Sequence, residues 1–176
     1  MAGIGVLMID GQLAALEQSE GSLAAGVRVG PLGDVDAALW CSVMTEPTDV
    51  FADMNTAFSA VPIVVDVPRN GVVDGPVVVV NMLTSDSLAT FPRLLVRAGA
   101  NSEVTVLDQH TSGAVAGFTA PVVEVQADPA ARIRYLNLNQ LGDQVWHIGS
   151  QVARGDRHST VSLATVALGG DYARTR

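Results

Sequence analysis

Segments of this chain repeat one another at a nearly constant spacing, and that repeat restricts the possible folds more than any other feature. Val96-Arg97-Ala98-Gly99-Ala100-Asn101-Ser102-Glu103-Val104-Thr105-Val106-Leu107 runs in step with the stretch from Val125 to Leu136. A third copy runs from Val152 to Leu163, and a looser one leaves Val67 and resumes at Val77. Anchored on Val67, Val96, Val125 and Val152, the units are 29, 29 and 27 residues apart. In each, a strand ends, a polar turn follows and an alternating strand begins. A period between about 20 and 50 residues marks an architecture of stacked units that bury a shared core.

The units contain short strands and no convincing helix, which excludes helical solenoids and βαβ folds. Within Val104–Leu107 the inward residues are Val104 and Val106, with Thr105 outward; in the next copy Ile133 and Tyr135 point in and Arg134 out. Strict alternation describes a strand with one wet face. The pattern predicts an all-β chain, a right-handed parallel β-helix in which Val104, Ile133 and Val161 stack on one interior line. An antiparallel sandwich also needs many short strands and turns, but it does not require this period. Strands are expected at Ile63–Val67, Val77–Val80, Leu94–Val96, Val104–Leu107, Val122–Val125, Ile133–Leu138, Val145–Ile148, Val152–Ala153 and Val161–Leu168. Pro68-Arg69-Asn70-Gly71 reads as a turn, with Gly71 available for positive φ.

Residues 1–60 read as a lead-in: a strand at 4–9, an irregular Gly-rich region over 11–38 with a helical piece at Leu13–Gln18, and a short helix near 50–60. Thr48 or Asp49 can cap that helix, and Pro62 ends it. Phe51, Met54 and Phe58 fall on one face, which is expected to anchor on the core. Residues 61–176 hold the coils, and the series reads as truncated at its C-terminal end.

Val, Ala and Leu carry most of the apolar content. All ten basic residues are Arg, and the net charge is −8. That balance argues against nucleic acid, which needs a basic footprint, and against an anionic membrane surface. No apolar run approaches the ~20 residues of a membrane helix, and the chain begins with no secretory signal, so a cytoplasmic protein is expected. The one cysteine, Cys41, rules out an internal disulfide and paired-cysteine zinc sites.

Groups able to do chemistry are few. His110, His147 and His158 lack the spacing of a local metal motif, although a β-helix can bring distant residues together. They read as structural or surface residues, and His147, if buried, is expected to be hydrogen-bonded. Cys41, beside Trp40, reads as a small apolar residue rather than a ligand. Asp34 with Asp36, or Asp108 near His110, could be forced into an acid–base scheme, but no spacing favours one. Arg132 and Arg134 share a strand face and could meet an anion or a carboxylate. No P-loop or GxGxxG run is present. Catalytic residues are therefore expected to be none, and cofactor and metal ligands stay unassigned.

The segment Phe91-Pro92-Arg93-Leu94-Leu95-Val96, continuing through Gly99, Asn101 and Ser102 to Val106, resembles a coil of the SufB/SufD family of iron–sulfur cluster assembly proteins. Val123–Val125, Ala130–Tyr135 and Trp146–Gly149 are similar to its next coils. Ala167-Leu168-Gly169-Gly170 with Arg174 resembles a later segment, and Asp53–Phe58 resembles the helix before the coils. The resemblance covers roughly residues 50–176. Where SufB-type members carry a Glu-Gly-Cys-Thr run after the coil, this chain reads Leu107-Asp108-Gln109-His110-Thr111, which favours the SufD side. The resemblance implies a scaffold rather than an enzyme, acting with a SufB-like paralogue and a SufC-like ATPase. It implies an iron–sulfur cluster for the full complex, with none bound stably by this segment. A homodimer is possible. The alternative is a β-helical carbohydrate- or acyl-active enzyme.

Overall fold

The computed structural model describes residues 3–176; Met1 and Ala2, at the start of the expected lead-in, lie outside the described residues. The chain opens as a hairpin: β1 (Ile4–Ile9) turns at Asp10-Gly11, both at positive φ, into antiparallel β2 (Gln12–Gln18). An Asp-Gly pair at positive φ gives the tight connection whose twist suits a hairpin. Leu13–Gln18 is therefore a strand and not the expected helix. Its Leu, Ala and Glu residues lean weakly to helix, and pairing with β1 overrides them. The region 11–38 is also less irregular than expected. It holds α1 (Glu20–Ala24), β3 (Arg28–Pro31), α2 (Leu32–Val35) and a 3-10 turn at Ala37–Leu39.

The capping signal holds for α3 (Val50–Phe58), where the Asp49 carboxylate accepts from the N–H groups of Phe51 and Ala52. The helix packs on the core, but not through the expected stripe. Ala52 and Asn55 are its buried residues, whereas Phe58 is 61% exposed. The cause is Asn55, whose amide donates to the carbonyls of Pro92 and Ala120 and turns that face inward. Phe51 and Phe58 lie alongside instead, against Phe118 and Phe91.

The rest winds as a right-handed parallel β-helix of about four turns. β4 (Ile63–Val67), β5 (Val77–Leu83) and β6 (Leu88–Thr90) form one turn. β7 (Arg93–Ala98), β8 (Glu103–Ser112) and β9 (Gly117–Thr119) form the next. β10 (Val122–Ala127), β11 (Arg132–Gln140), β12 (Val145–Gly155), β13 (Thr160–Ala167) and β14 (Tyr172–Thr175) complete it. The first sheet runs β13-β11-β8-β5-β1 in parallel, with β2 antiparallel at its end. The second runs β12-β10-β7-β4, ended by antiparallel β3. The third stacks β6, β9, β12 and β14. The two segments expected at 145–148 and 152–153 are one strand, β12, which bends from the third sheet into the second.

Ile133 pairs with Val104 on one side and Val161 on the other, so the predicted interior line exists. The anchors need adjustment. Val96 does pair with Val125, but its other partner is Val65 rather than Val67, and Val125 pairs with Ala153 rather than Val152. The loop after β4 is two residues longer than its counterpart, and the link from β11 to β12 is one shorter, which moves both registers. One corner of every turn is set by a residue at positive φ: Asn70, Asn101, Ala130 and His158. Asn70, not Gly71, takes that conformation. Gly71 is small for another reason, since a Cβ there would come within 2.9 Å of Val67 Cγ1.

Candidate functional site

Inward-facing positions on β8 and β11 begin aliphatic and turn polar. Val104 and Val106 are followed by Asp108 and His110, and Ile133 and Tyr135 by Asn137 and Asn139, all buried. The register sets Asn137 beside Asp108, and Asn139 and Asn81 on either side of His110. His147 enters from β12, its ring 5.1 Å from that of His110 and edge-on to it. Asp108 and His110, neighbours on β8, and the distant His147 thus form one interior group. His158 is not part of it; it occupies the exposed turn corner. Sequence reasoning missed the group, although continuing the two-residue alternation past Val106 and Tyr135 would have placed these polar residues inside.

Asp108 is the centre of the group. Tyr135 Oη donates to its Oδ2 at 2.7 Å and Asn81 Nδ2 to its Oδ1 at 2.9 Å. His110 Nε2 lies 3.4 Å from Oδ1, within ion-pair reach but outside hydrogen-bond alignment. Burial would raise the Asp108 pKa, but His110 and the Tyr135 hydroxyl outweigh it and hold the carboxyl below its usual value. Burial, reinforced by Asp108, pushes the Tyr135 phenol well up. Burial first, and His110 second, lower His147 to about 3. At neutral pH the interior therefore holds a carboxylate, a phenol and a neutral His147 imidazole. His147 is buried, yet the hydrogen bond expected of a buried histidine is missing at its Nδ1, which has no protein partner; nor do Asn137 Oδ1 and either side-chain polar atom of Asn139. Two cavities of about 10 Å³ flank Asn81, one lined by His110, Thr90 and Thr119 and the other by Asp108 and Arg93. Each has room for about one water and no larger substrate.

A second buried polar group pins the lead-in to the second sheet. Arg93 Nε donates to Glu124 Oε1 at 3.0 Å, and Glu124 Oε2 accepts from the N–H groups of Val43 and Met44. Arg93 also reaches Asn55 and Thr56 on α3 and lies under the Trp40 ring. Cys41 is half-buried, with Arg93 Nη2 3.4 Å from its sulfur. Burial raises its thiol pKa, against the pull of Arg93. It takes part in this clamp and not in the interior group.

Arg134 meets Glu103 on the neighbouring turn, an in-chain carboxylate, while Arg132 stays exposed. Asp36 caps the 3-10 turn by accepting from Ala38 N–H. Among the described residues, no three His, Cys, Asp or Glu side chains converge as a metal site, and no helix is long and apolar enough to cross a membrane.

A family model described as "SUF system FeS cluster assembly, SufBD core domain" matches residues 81–176, more than half of the chain. The chain belongs to the SufBD core family. Its role therefore lies in SUF iron–sulfur cluster assembly, as a scaffold-type component. The match runs from the end of β5 through β14 and so includes Asp108, His110 and His147. No curated protein matches the chain.

Proposed function

We propose that this chain is a SufD-like scaffold subunit of cytoplasmic SUF assembly, itself non-enzymatic, working with a SufB-like paralogue and a SufC-like ATPase. One observation carries the reading. The position that reads Cys in the Glu-Gly-Cys-Thr run of SufB-type members is His110 here. That histidine faces the interior beside Asp108, and the only thiol, Cys41, sits at the separate Arg93 clamp. A subunit without a thiol in its coils supports its partner better than it receives sulfur itself. The iron–sulfur cluster is cargo of the complex. A carbohydrate- or acyl-active enzyme would need carboxylates or a histidine aligned on an outer face, and Asp108, His110 and His147 point inward.

Co-expression with SufB-like and SufC-like proteins, followed by affinity capture of this chain with native termini, tests the reading. Both partners are expected in the eluate. Capture of neither would end the assignment.

A further inference from the structure

Aromatic side chains are few in this chain, and most of them gather on one outer surface. All four phenylalanines, with Trp146 and Tyr172, lie on the outside of the third sheet or beside it. The register runs Ala89, Phe118, Trp146 and Tyr172 across β6, β9, β12 and β14. The next residues on β9 and β12, Thr119 and His147, are buried, so this row faces outward. Phe91 meets Phe118 edge-on at 6.2 Å and Phe58 at 5.5 Å, which carries the row onto α3, and Trp146 lies 5.5 Å from Tyr172. Phe58, Trp146 and Tyr172 are 61%, 49% and 45% exposed. Single exposed apolar residues are ordinary on a monomer, whereas a connected aromatic strip marks a contact surface.

Backbone, spacing and charge together select what covers the strip. β9 and β12 are paired on both sides, so the strip offers side chains and no free edge to an incoming strand. Its spacing suits a helix. The row steps about 4.8 Å from strand to strand, and a helix laid along the solenoid axis brings an apolar residue round about every 5.4 Å. Phe118, Trp146 and Tyr172 can therefore each take one residue of an i, i+3 or i+4, i+7 series. The charge beside the strip is of one sign. The loops that lead from the first sheet to the third, 84–87, 113–116, 141–144 and 168–171, carry Asp86, Asp143 and Asp171 and no basic residue. Asp86 accepts from Ala116 N–H and Asp171 from the Trp146 indole. Asp143 is exposed at a hollow of about 570 Å³ lined also by Gly113, Val115 and Gly142. Arg174, over the Phe51 ring, and Arg176 are both engaged by Asp49. The strip thus joins an acidic flank to rings whose faces attract cations. An anionic membrane, or a second copy of this chain of net charge −8, would set negative charge against negative charge.

We propose that the outer face of the third sheet docks a basic amphipathic helix of a partner protein. The apolar side of that helix lies along Phe118, Trp146 and Tyr172, and an arginine or lysine on its flank enters the hollow beside Asp143. The docking face is a property of the fold and holds whether or not the chain is SufD-like.

Selection from a displayed library of helices tests this, with the 176-residue chain as bait. Helices of about 14 residues cover the row and leave a turn to fray. The library keeps leucine on one face and varies the flanks among Arg, Lys, Glu, Asp and Ser. Enriched helices are expected to carry Arg or Lys on one flank. Their affinity, read by fluorescence anisotropy, should fall about tenfold in Trp146→Ala and in Tyr172→Ala, as it does when an interface aromatic is truncated. Asp143→Arg should also weaken them, and should favour the same helices with Glu in place of Arg. All three side chains are exposed, so the circular dichroism spectrum and urea midpoint should stay those of the parent. The Trp146 indole N–H resonance should move on binding. No enrichment, enrichment of acidic flanks, or affinity indifferent to Trp146→Ala and Tyr172→Ala overturns the proposal. Self-association, or binding to phosphatidylserine vesicles, that Trp146→Ala abolishes overturns it too, since the face then belongs to a second copy or to a membrane. Helix binding is measured on the isolated chain, so failure to capture SufB-like or SufC-like proteins would leave it untouched, and the two readings fail separately.

Discussion

Individual side chains decide how this β-helix responds to pH. His147 takes a proton only near pH 3 when folded, against the usual 6.5 when unfolded, because burial disfavours the imidazolium. Between those values the unfolded chain binds the extra proton. Stability from this group is therefore complete above about 6.5 and falls as pH drops toward 3, with a slope approaching ~1.4 kcal/mol per pH unit. Asp108 acts lower. Its folded pKa is depressed, so its contribution is lost only as pH falls below the ordinary carboxylate range. His147→Gln, which replaces the imidazole with a polar amide that does not titrate, should flatten the dependence between pH 6.5 and 4.5. Urea midpoints of the two proteins across that range decide it, and parallel curves would exclude His147 as the source. This behaviour was not legible in the sequence. A histidine after Trp146 in an apolar strand gives no sign that a second histidine, 37 positions earlier, packs edge-on against it.

Elements hold their places through few but heavily used side chains. Arg93 on β7 and Glu124 on β10 are both buried, and together they fasten α3 and the Trp40–Met44 segment to the second sheet. Removing one partner strands a charge away from water, at a cost of about 3 to 5 kcal/mol. Arg93→Met and Glu124→Leu should each destabilise by that order. The double variant should lose clearly less than their sum, since it leaves no lone charge. Chemical denaturation of the four proteins measures the coupling; additive losses would mean the pair is not a unit. The strands of the first sheet were readable in advance because a two-residue alternation, punctuated by Gly, Pro and Asn, reflects one wet face and one dry one, and those of the second, buried on both faces, read as short apolar runs between turns. The lead-in was not. Leu13–Gln18 resembles helix locally, and only the Asp10-Gly11 turn, a signal of two residues, reveals its pairing with β1. The stripe of Phe51, Met54 and Phe58 misled for a related reason. Periodicity shows that a helix has an apolar side, but not that the amide of Asn55 will find carbonyls on two successive turns and rotate the helix.

The whole molecule behaves as a one-dimensional stack, in which each turn is stabilised only by its neighbours. The two ends of the described stack differ. At one end antiparallel β2 and β3 cover β1 and β4, so the backbone groups of those strands are paired on both sides. At the other, β13 pairs only with β11 and β14 only with β12, and the side chains of β13 are mostly exposed. Opening β13 breaks one ladder and exposes little apolar surface, whereas opening β8 breaks two and uncovers Asp108 and His110. Native-state hydrogen exchange should therefore be graded, slowest in β7, β8 and β10 and fastest in β13 and β14. Local opening of β13 and β14 should lie well below the free energy of global unfolding. Protection of β13 equal to that of β8 would show that the turns unfold as one unit and that the stack model fails.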